Sequence, residues 1–298
     1  MDKREFISLS FTGMITLFAA PARVFSLFIG EESFDVDTKI KQGTLNIQQI
    51  RNATLVVQYA GKRFLIDPML SKKGSFPPFG NSLTQNDSPN PIVELPIPAE
   101  EVIEGIDAVF LSHLHIDHWD DAAKELLPKN IKMFVQDETD KKQVESAGFT
   151  NVEVLTENTT FEDIRLSRTK AQHGRGEILN RSGFVCGLVL KHSSEKTLYI
   201  AADTVWYEGV QQEIEKHKPE VIVVNGGDNQ FLNSGSLIMG KDDIYEVYKA
   251  APDAKIVVCH MEAVNHYTLS REELKSFIEE KGMTSNVLVP DDGESCTF

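Results

Sequence analysis

Apolar residues along this chain of 298 come largely in short runs bounded by Gly, Pro, Asn or Asp, with stretches of helical spacing between them. The run 53–59, a Gly61-Lys62 turn and the run 63–66 predict a β-hairpin that ends at Asp67-Pro68. Further strands are predicted over 108–111, 131–135, 151–155, 161–169, 184–191, 197–202, 220–224 and 255–259, with 287–290 closing the chain. Helical spacing predicts helices over 120–127, 140–147, 205–216 and 241–250. A fifth begins at the capping signal Ser270-Arg271-Glu272-Glu273 and runs to about Glu280. Strands alternating with helices predict a layered α/β protein. Strand-rich stretches with later helices occupy both 50–150 and 180–298, and no linker separates them, so one domain built of two similar halves is expected. Residues 71–98 interrupt the pattern with half of the chain's twelve prolines. A loop this long is either functional or an inert excursion. Phe76 and Phe79 within it suit a cover over a site, and both readings stay open.

Composition narrows the function. Apolar content of 41% and charged content of 25% are those of a soluble globular chain. A net charge of −15 removes the basic stripe that nucleic-acid backbone requires, so no nucleic-acid partner is expected. Three cysteines, Cys186, Cys259 and Cys296, with no C-x-x-C pair, support neither a disulfide framework nor a thiolate zinc site. At the N-terminus, Lys3-Arg4, an apolar run from Phe6 to Ala20 and Ala20-Pro21-Ala22 follow the order of a secretory signal. Residues 1–22 therefore read as an export segment, with a periplasmic location expected and a cytoplasmic one as the alternative. Residues 23–298 form the domain. Ser8, Ser10, Thr12 and Thr16 interrupt the apolar run, so no stable membrane span is expected.

The chemistry concentrates in His113-Leu114-His115-Ile116-Asp117-His118-Trp119-Asp120, directly after an apolar strand. Imidazoles and carboxylates are costly to bury unless they pair or bind metal. On extended chain His113, His115 and Asp117 would point one way and His118 the other, which suits two ions side by side. Asp67, His173, Asp203, Asn225 and His260 also sit at the exits of apolar strands. In layered α/β proteins such exits meet along one sheet edge.

The order His113-x-His115-x-Asp117-His118, then His173, Asp203 and His260, resembles the metallo-β-lactamase superfamily over roughly residues 45–298, with Asp67 at the place of its structural aspartate. The resemblance implies an α/β fold, the four-layer αββα sandwich, with two divalent metal ions at one edge. His113, His115 and His173 would hold the first and Asp117, His118 and His260 the second, with Asp203 bridging. Imidazole and carboxylate suit Zn²⁺ first, then Mn²⁺ or Fe. Two such ions acidify a bridging water to near neutrality, supplying a hydroxide nucleophile for hydrolysis of a small ester, lactone, amide or phosphodiester. Asp117 would also orient that nucleophile. The segment Cys259-His260-Met261-Glu262-Ala263-Val264-Asn265-His266 is similar to the ascorbate-6-phosphate lactonase-like branch. His266 is a candidate catalytic residue that would contact substrate or protonate a leaving group. Asn265 beside it has the same candidacy, and helix capping or a core role is the alternative for both. Asn225, Gly226, Gly227 and Asp228 are candidates for the mouth of the site.

Three other functions compete with a small-molecule hydrolase. A nuclease of the tRNA-processing type is disfavoured by the charge, the export segment and the lack of a basic insertion. A redox diiron enzyme is disfavoured because such relatives usually carry Glu where His115 stands and bear an appended flavin domain. A non-catalytic metal-binding member would be expected to have lost ligands, and all seven are present.

Overall fold

The computed structural model describes residues 44–298; residues 1–22, expected to be an export segment, lie outside the described residues. The chain opens with strands β1 (Asn46–Arg51), β2 (Thr54–Tyr59) and β3 (Lys62–Ile66), then β4 (Ala108–Phe110), β5 (Lys132–Val135) and β6 (Val152–Val154). It continues with β7 (Thr159–Phe161), β8 (Ile164–Lys170), β9 (Cys186–Lys191), β10 (Leu198–Ile200) and β11 (Val221–Asn225). A small hairpin of β12 (Gln230–Phe231) and β13 (Gly235–Ser236) precedes β14 (Lys255–Cys259), β15 (Val287–Leu288) and β16 (Ser295–Thr297). One seven-stranded sheet runs β16-β1-β2-β3-β4-β5-β6, and a second runs β15-β14-β11-β10-β9-β8-β7.

Both sheets have the same plan. An antiparallel meander (β1 to β3, β7 to β10) leads into parallel strands (β4 to β6, then β11, β14 and β15). The expected halving is present, with the second half beginning at β7 rather than at 180, and parallel neighbours need crossovers long enough to hold helices. α1 (Ala99–Ile103), α2 (Asp121–Leu126) and α3 (Glu138–Ser146) serve the first sheet. α4 (Glu208–His217), α5 (Lys241–Ala250) and α6 (Arg271–Glu280) serve the second.

Strand periodicity decides which side chain enters which layer. Leu55, Val57 and Tyr59 of β2 lie in one buried cluster with Val221 and Val223 of β11 and Val257 and Cys259 of β14, the core between the sheets. The alternate residues turn outward. Val56 and Val109 pack with Val102, Ala123 and Val144 of the first helix layer. Ile222, Val224, Ile256 and Val258 pack with Val210, Ile244, Val247, Leu274 and Ile278 of the other. Three cores between four layers is the αββα order expected, and it explains why these strands read as unbroken apolar runs: both faces are buried.

Several boundaries differ from expectation. The run 161–169 is two strands, β7 and β8, turned at Glu162, whose φ of +55° lets the chain reverse. β1 escaped prediction because Ile47 and Ile50 face opposite cores while Gln48, Gln49 and Arg51 hide the pattern. The fully buried Arg51 guanidinium donates to the carbonyls of Val93, Met69 and Ser71 at 3.1, 2.8 and 2.7 Å and so pins both ends of the 71–98 loop. The chain does not close at 287–290. It returns to the first sheet as β16, a strand defined by pairing with β1 rather than by its own pattern. The helix expected over 205–216 begins at Glu208, behind the extended residue Tyr207. At α6 the expected capping box is present, Ser270 accepting from the Glu273 amide and the Glu273 carboxylate from that of Ser270.

Candidate metal centre

Six strands deliver the site. β3 leads to Asp67, β4 to His113, β8 to His173, β10 to Asp203, β11 ends at Asn225 and β14 leads to His260. Their directions follow from the pairing, and within each sheet the exits fall on the same edge. The 113–120 segment itself is not extended. The amides of His118 and Trp119 both donate to the His115 carbonyl at 2.9 Å, making a tight turn. That turn overrides the two-residue alternation expected for Asp117. His113 and His115 stay together, while Asp117 swings over to His118.

The ligand atoms assemble into three overlapping groups, each able to hold an ion: His113 with His115 and His173; His113 with His118 and Asp203; Asp117 with His118 and His260. All seven predicted ligands are brought together. Asp203 Oδ2 lies 3.2 Å from His118 Nε2, 3.6 Å from His173 Nε2 and 3.9 Å from His113 Nε2, and its Oδ1 lies 3.7 Å from His260 Nε2. It therefore lies within 4 Å of members of every group. His260 Nε2 is 3.3 Å from Asp117 Oδ2 and 3.2 Å from His118 Nε2.

Hydrogen bonds set which ring nitrogen faces inward. His118 Nδ1 donates to Asp67 Oδ2 at 2.9 Å, and His173 Nδ1 to the Leu237 carbonyl at 3.0 Å. Ser112 Oγ donates to Asp67 Oδ2 at 2.6 Å, which leaves it to accept from His113 Nδ1 at 2.9 Å. Each of these rings turns its Nε2 toward the centre, while His115 presents Nδ1, 2.9 Å from His113 Nε2. Partners on the outer nitrogen are the usual support of metal-binding histidines. Sequence reasoning missed Ser112 and Leu237 in these roles, since a serine after a strand and a backbone carbonyl carry no motif.

The electrostatics call for a cation. Burial opposes the charge on His118, yet Asp203, Asp117 and Asp67 outweigh it and hold the ring well above the ordinary imidazole value. Burial alone would raise the carboxyls of Asp117 and Asp203, but His118 and His260 keep both well below the usual range. His113, buried and flanked by His118 and His115, is held well below 6.5 and is neutral. A proton on His118 among ionised carboxylates and inward-facing ring nitrogens stands where a metal cation would, and the donor set fits one.

The centre forms the floor of a cavity of about 610 Å³. Phe79, Phe231 and His266 line one wall, Ile178, Leu237 and Ile238 another, and among the described residues Glu177 and Arg181 are the only charged lining residues besides the ligand candidates. His266 is held between Phe231, parallel at a 5.1 Å centroid distance, and Phe79, edge-on at 4.7 Å. Burial pushes its imidazole down to about 4, so at neutral pH it is uncharged and not an imidazolium acid. Asn265 does not face the cavity. Its Oδ1 accepts from the Phe79 amide and from Asn90 Nδ2, and its Nδ2 donates to the carbonyls of Phe79 and Asn86. It is a clamp on the 71–98 loop, which thereby becomes the fixed wall that carries Phe79. Asn225, Gly226, Gly227 and Asp228 do not line the mouth. Asn225 lies beneath the floor, donating to Asp203 Oδ1 at 2.6 Å, because β11 ends level with the ligands rather than above them. Asp120 caps α2 through the Ala123 amide and accepts from the Ser71 amide, a structural task.

A β-sandwich flanked by helices with this ligand set at its edge defines a metal-dependent hydrolase of the metallo-β-lactamase fold, and the chain belongs to the β-lactamase superfamily: the family model described as the beta-lactamase superfamily domain matches residues 62–261. It is 63% identical over 255 residues to the UPF0173 protein YddR of Bacillus subtilis, covering 85% of this chain and 100% of that one. Among solved structures it is similar to an isothiocyanate hydrolase from Delia radicum gut bacteria, with a TM-score of 0.81 and 42% identity over 85% of this chain and 99% of that one. A possible metal-dependent hydrolase from Veillonella parvula gives a TM-score of 0.82 and 35% identity over the same shares.

Proposed function

We propose that the chain is a two-metal hydrolase of small, uncharged, apolar electrophiles, with an isothiocyanate as the favoured substrate. The observation that carries this reading is a His/Asp cluster at the floor of a cavity where Phe79, Phe231, Ile178, Leu237 and Ile238 face the cluster alongside mostly uncharged polar side chains. A phosphorylated lactone or a phosphodiester is less well matched, because among the described residues Arg181 is the one cation in the lining and Glu177 accompanies it. The solved relative that hydrolyses isothiocyanates supplies the substrate class.

His113, His115 and His173 would hold one divalent ion and Asp117, His118 and His260 the other, with Asp203 shared; Zn²⁺ suits the set first, then Mn²⁺ or Fe. Such a pair supplies an acidified water as nucleophile and a Lewis acid for the electrophile. Asp117 both belongs to the ligand set and lines the cavity, so its carboxylate orients the attacking water. The neutral His266 ring, held by its aromatic neighbours, shapes the wall against which substrate lies. For an isothiocyanate, water adds to the central carbon and the C–N bond then breaks. Both water protons end on nitrogen, giving an amine and carbonyl sulfide. Residues 1–22, read as an export signal, would place this activity in the periplasm, and N-terminal sequencing of the mature protein tests that.

The test is metal analysis of the purified chain coupled to a hydrolysis screen on allyl and benzyl isothiocyanate, a lactone, an ester and bis(p-nitrophenyl) phosphate. Two metals per chain and isothiocyanate turnover abolished by chelator are expected. His115→Ala and Asp203→Ala should remove turnover while circular dichroism stays that of the parent. Turnover that survives chelation sinks the reading; a chromophoric iron pair without hydrolysis points to redox chemistry instead.

A further inference from the structure

We propose that Asn52 is a positioning residue for Asp117 and His260, and that the metal position built on these two ligands is the weaker of the pair. The inference rests on the two-ion reading above and concerns a residue outside its ligand set.

Asn52 sits in the turn between β1 and β2, at the same sheet edge as Asp67, because β1 runs parallel to β3 two strands away. It is fully buried and adopts φ +56°, in the left-handed region where asparagine is tolerated. Its Nδ2 donates to the Asp117 carbonyl at 3.0 Å and lies 3.4 Å from Asp117 Oδ2 and 3.3 Å from His260 Nε2. Its backbone carbonyl accepts from the His260 amide at 2.8 Å. One residue thus grips the turn that carries Asp117 through its side chain and the strand exit that carries His260 through its backbone.

The remaining ligands show why this grip matters. His113, His118 and His173 each have an outer-nitrogen partner in Ser112, Asp67 and the Leu237 carbonyl. His260 Nδ1 has no partner among the described residues. His260 also has φ +58°, a backbone conformation that needs support from its surroundings. With the customary outer partner missing, its placement depends on Asn52. Among the described residues the Asn52 side chain makes no hydrogen bond to His113, His115 or His173, so their group does not depend on it.

The full chain, stripped by chelator, is titrated with Co²⁺ and inner-sphere absorbance is followed. The parent should take up two equivalents, the second more weakly. Asn52→Gly keeps the turn, since glycine accepts the positive φ, and should weaken the second equivalent about 10- to 100-fold while the first is unchanged. Asn52→Asp preserves the turn and the side-chain shape but removes the donor. It should shift the second equivalent alone, and it decides the matter if the glycine variant does not fold. Parent-like binding of both equivalents in the folded variants, or equal weakening of both, overturns the assignment of Asn52. A parent that binds a single equivalent overturns the two-ion reading instead.

Discussion

Replacing Asn265 by alanine separates a loop clamp from a substrate-binding group. The residue is 1% exposed and its side chain makes four hydrogen bonds, all to the 71–98 loop: Phe79 N at 2.9 Å, Asn90 Nδ2 at 2.9 Å, Phe79 O at 3.0 Å and Asn86 O at 2.6 Å. A net contribution of about 1 kcal/mol each sets a ceiling near 4 kcal/mol. Phe79 is only half-buried and Asn86 lies on an exposed stretch, so water takes over part of the loss and about 2–3 kcal/mol is expected. The ends of the loop stay fixed by Arg51 and by Asp120 through the Ser71 amide, so the loss falls on residues 76–90. Urea unfolding should show the lowered stability, and limited proteolysis should show new cleavage within 76–90. Asn265→Asp keeps both acceptor roles, loses both donations and sets a charge against two carbonyls, so it should be no more stable than the alanine variant. Stability within about 0.5 kcal/mol of the parent with unchanged proteolysis would refute the clamp.

Two further outcomes follow from the site. Asp67→Asn can still accept from the Ser112 amide but presents no acceptor to both Ser112 Oγ and His118 Nδ1, so the inward lone pair of His118 is no longer assured. Metal affinity should fall about 10- to 100-fold with the fold intact, checked by competition with a chromogenic chelator; unchanged affinity removes Asp67 from its orienting role. His266 is held at about 4 against an ordinary 6.5, so between those values the unfolded chain binds the extra proton. Its contribution is present above pH 6.5 and is lost as pH falls toward 4, up to about 3 kcal/mol. Relative to His266→Phe, the parent should lose stability across that window in denaturant titrations, and parallel curves would contradict the neutral, desolvated ring.

The local pattern of this chain determined its elements and its ligand types. Apolar runs such as 220–224 and 255–259 mark strands covered on both faces, the Ser270-Glu273 pair marks a helix start, and a histidine cluster after a strand marks metal chemistry; each is written within a few neighbouring residues. The superfamily was legible because seven ligands at strand exits form a pattern in chain order. Tertiary structure decided what depends on pairing across long separations. β16 exists because β1 offers it an edge, and Asn52 reaches the site because β1 belongs to the first sheet. Asp117 joins His118 and His260 because a turn of two hydrogen bonds to the His115 carbonyl outweighs strand alternation. Asn265, adjacent in sequence to a cavity-lining histidine, turns away because a loop some 180 residues earlier offers its amide four partners. Hydrogen bonds of that range leave no period or spacing in the sequence, and they place the wall of the cavity.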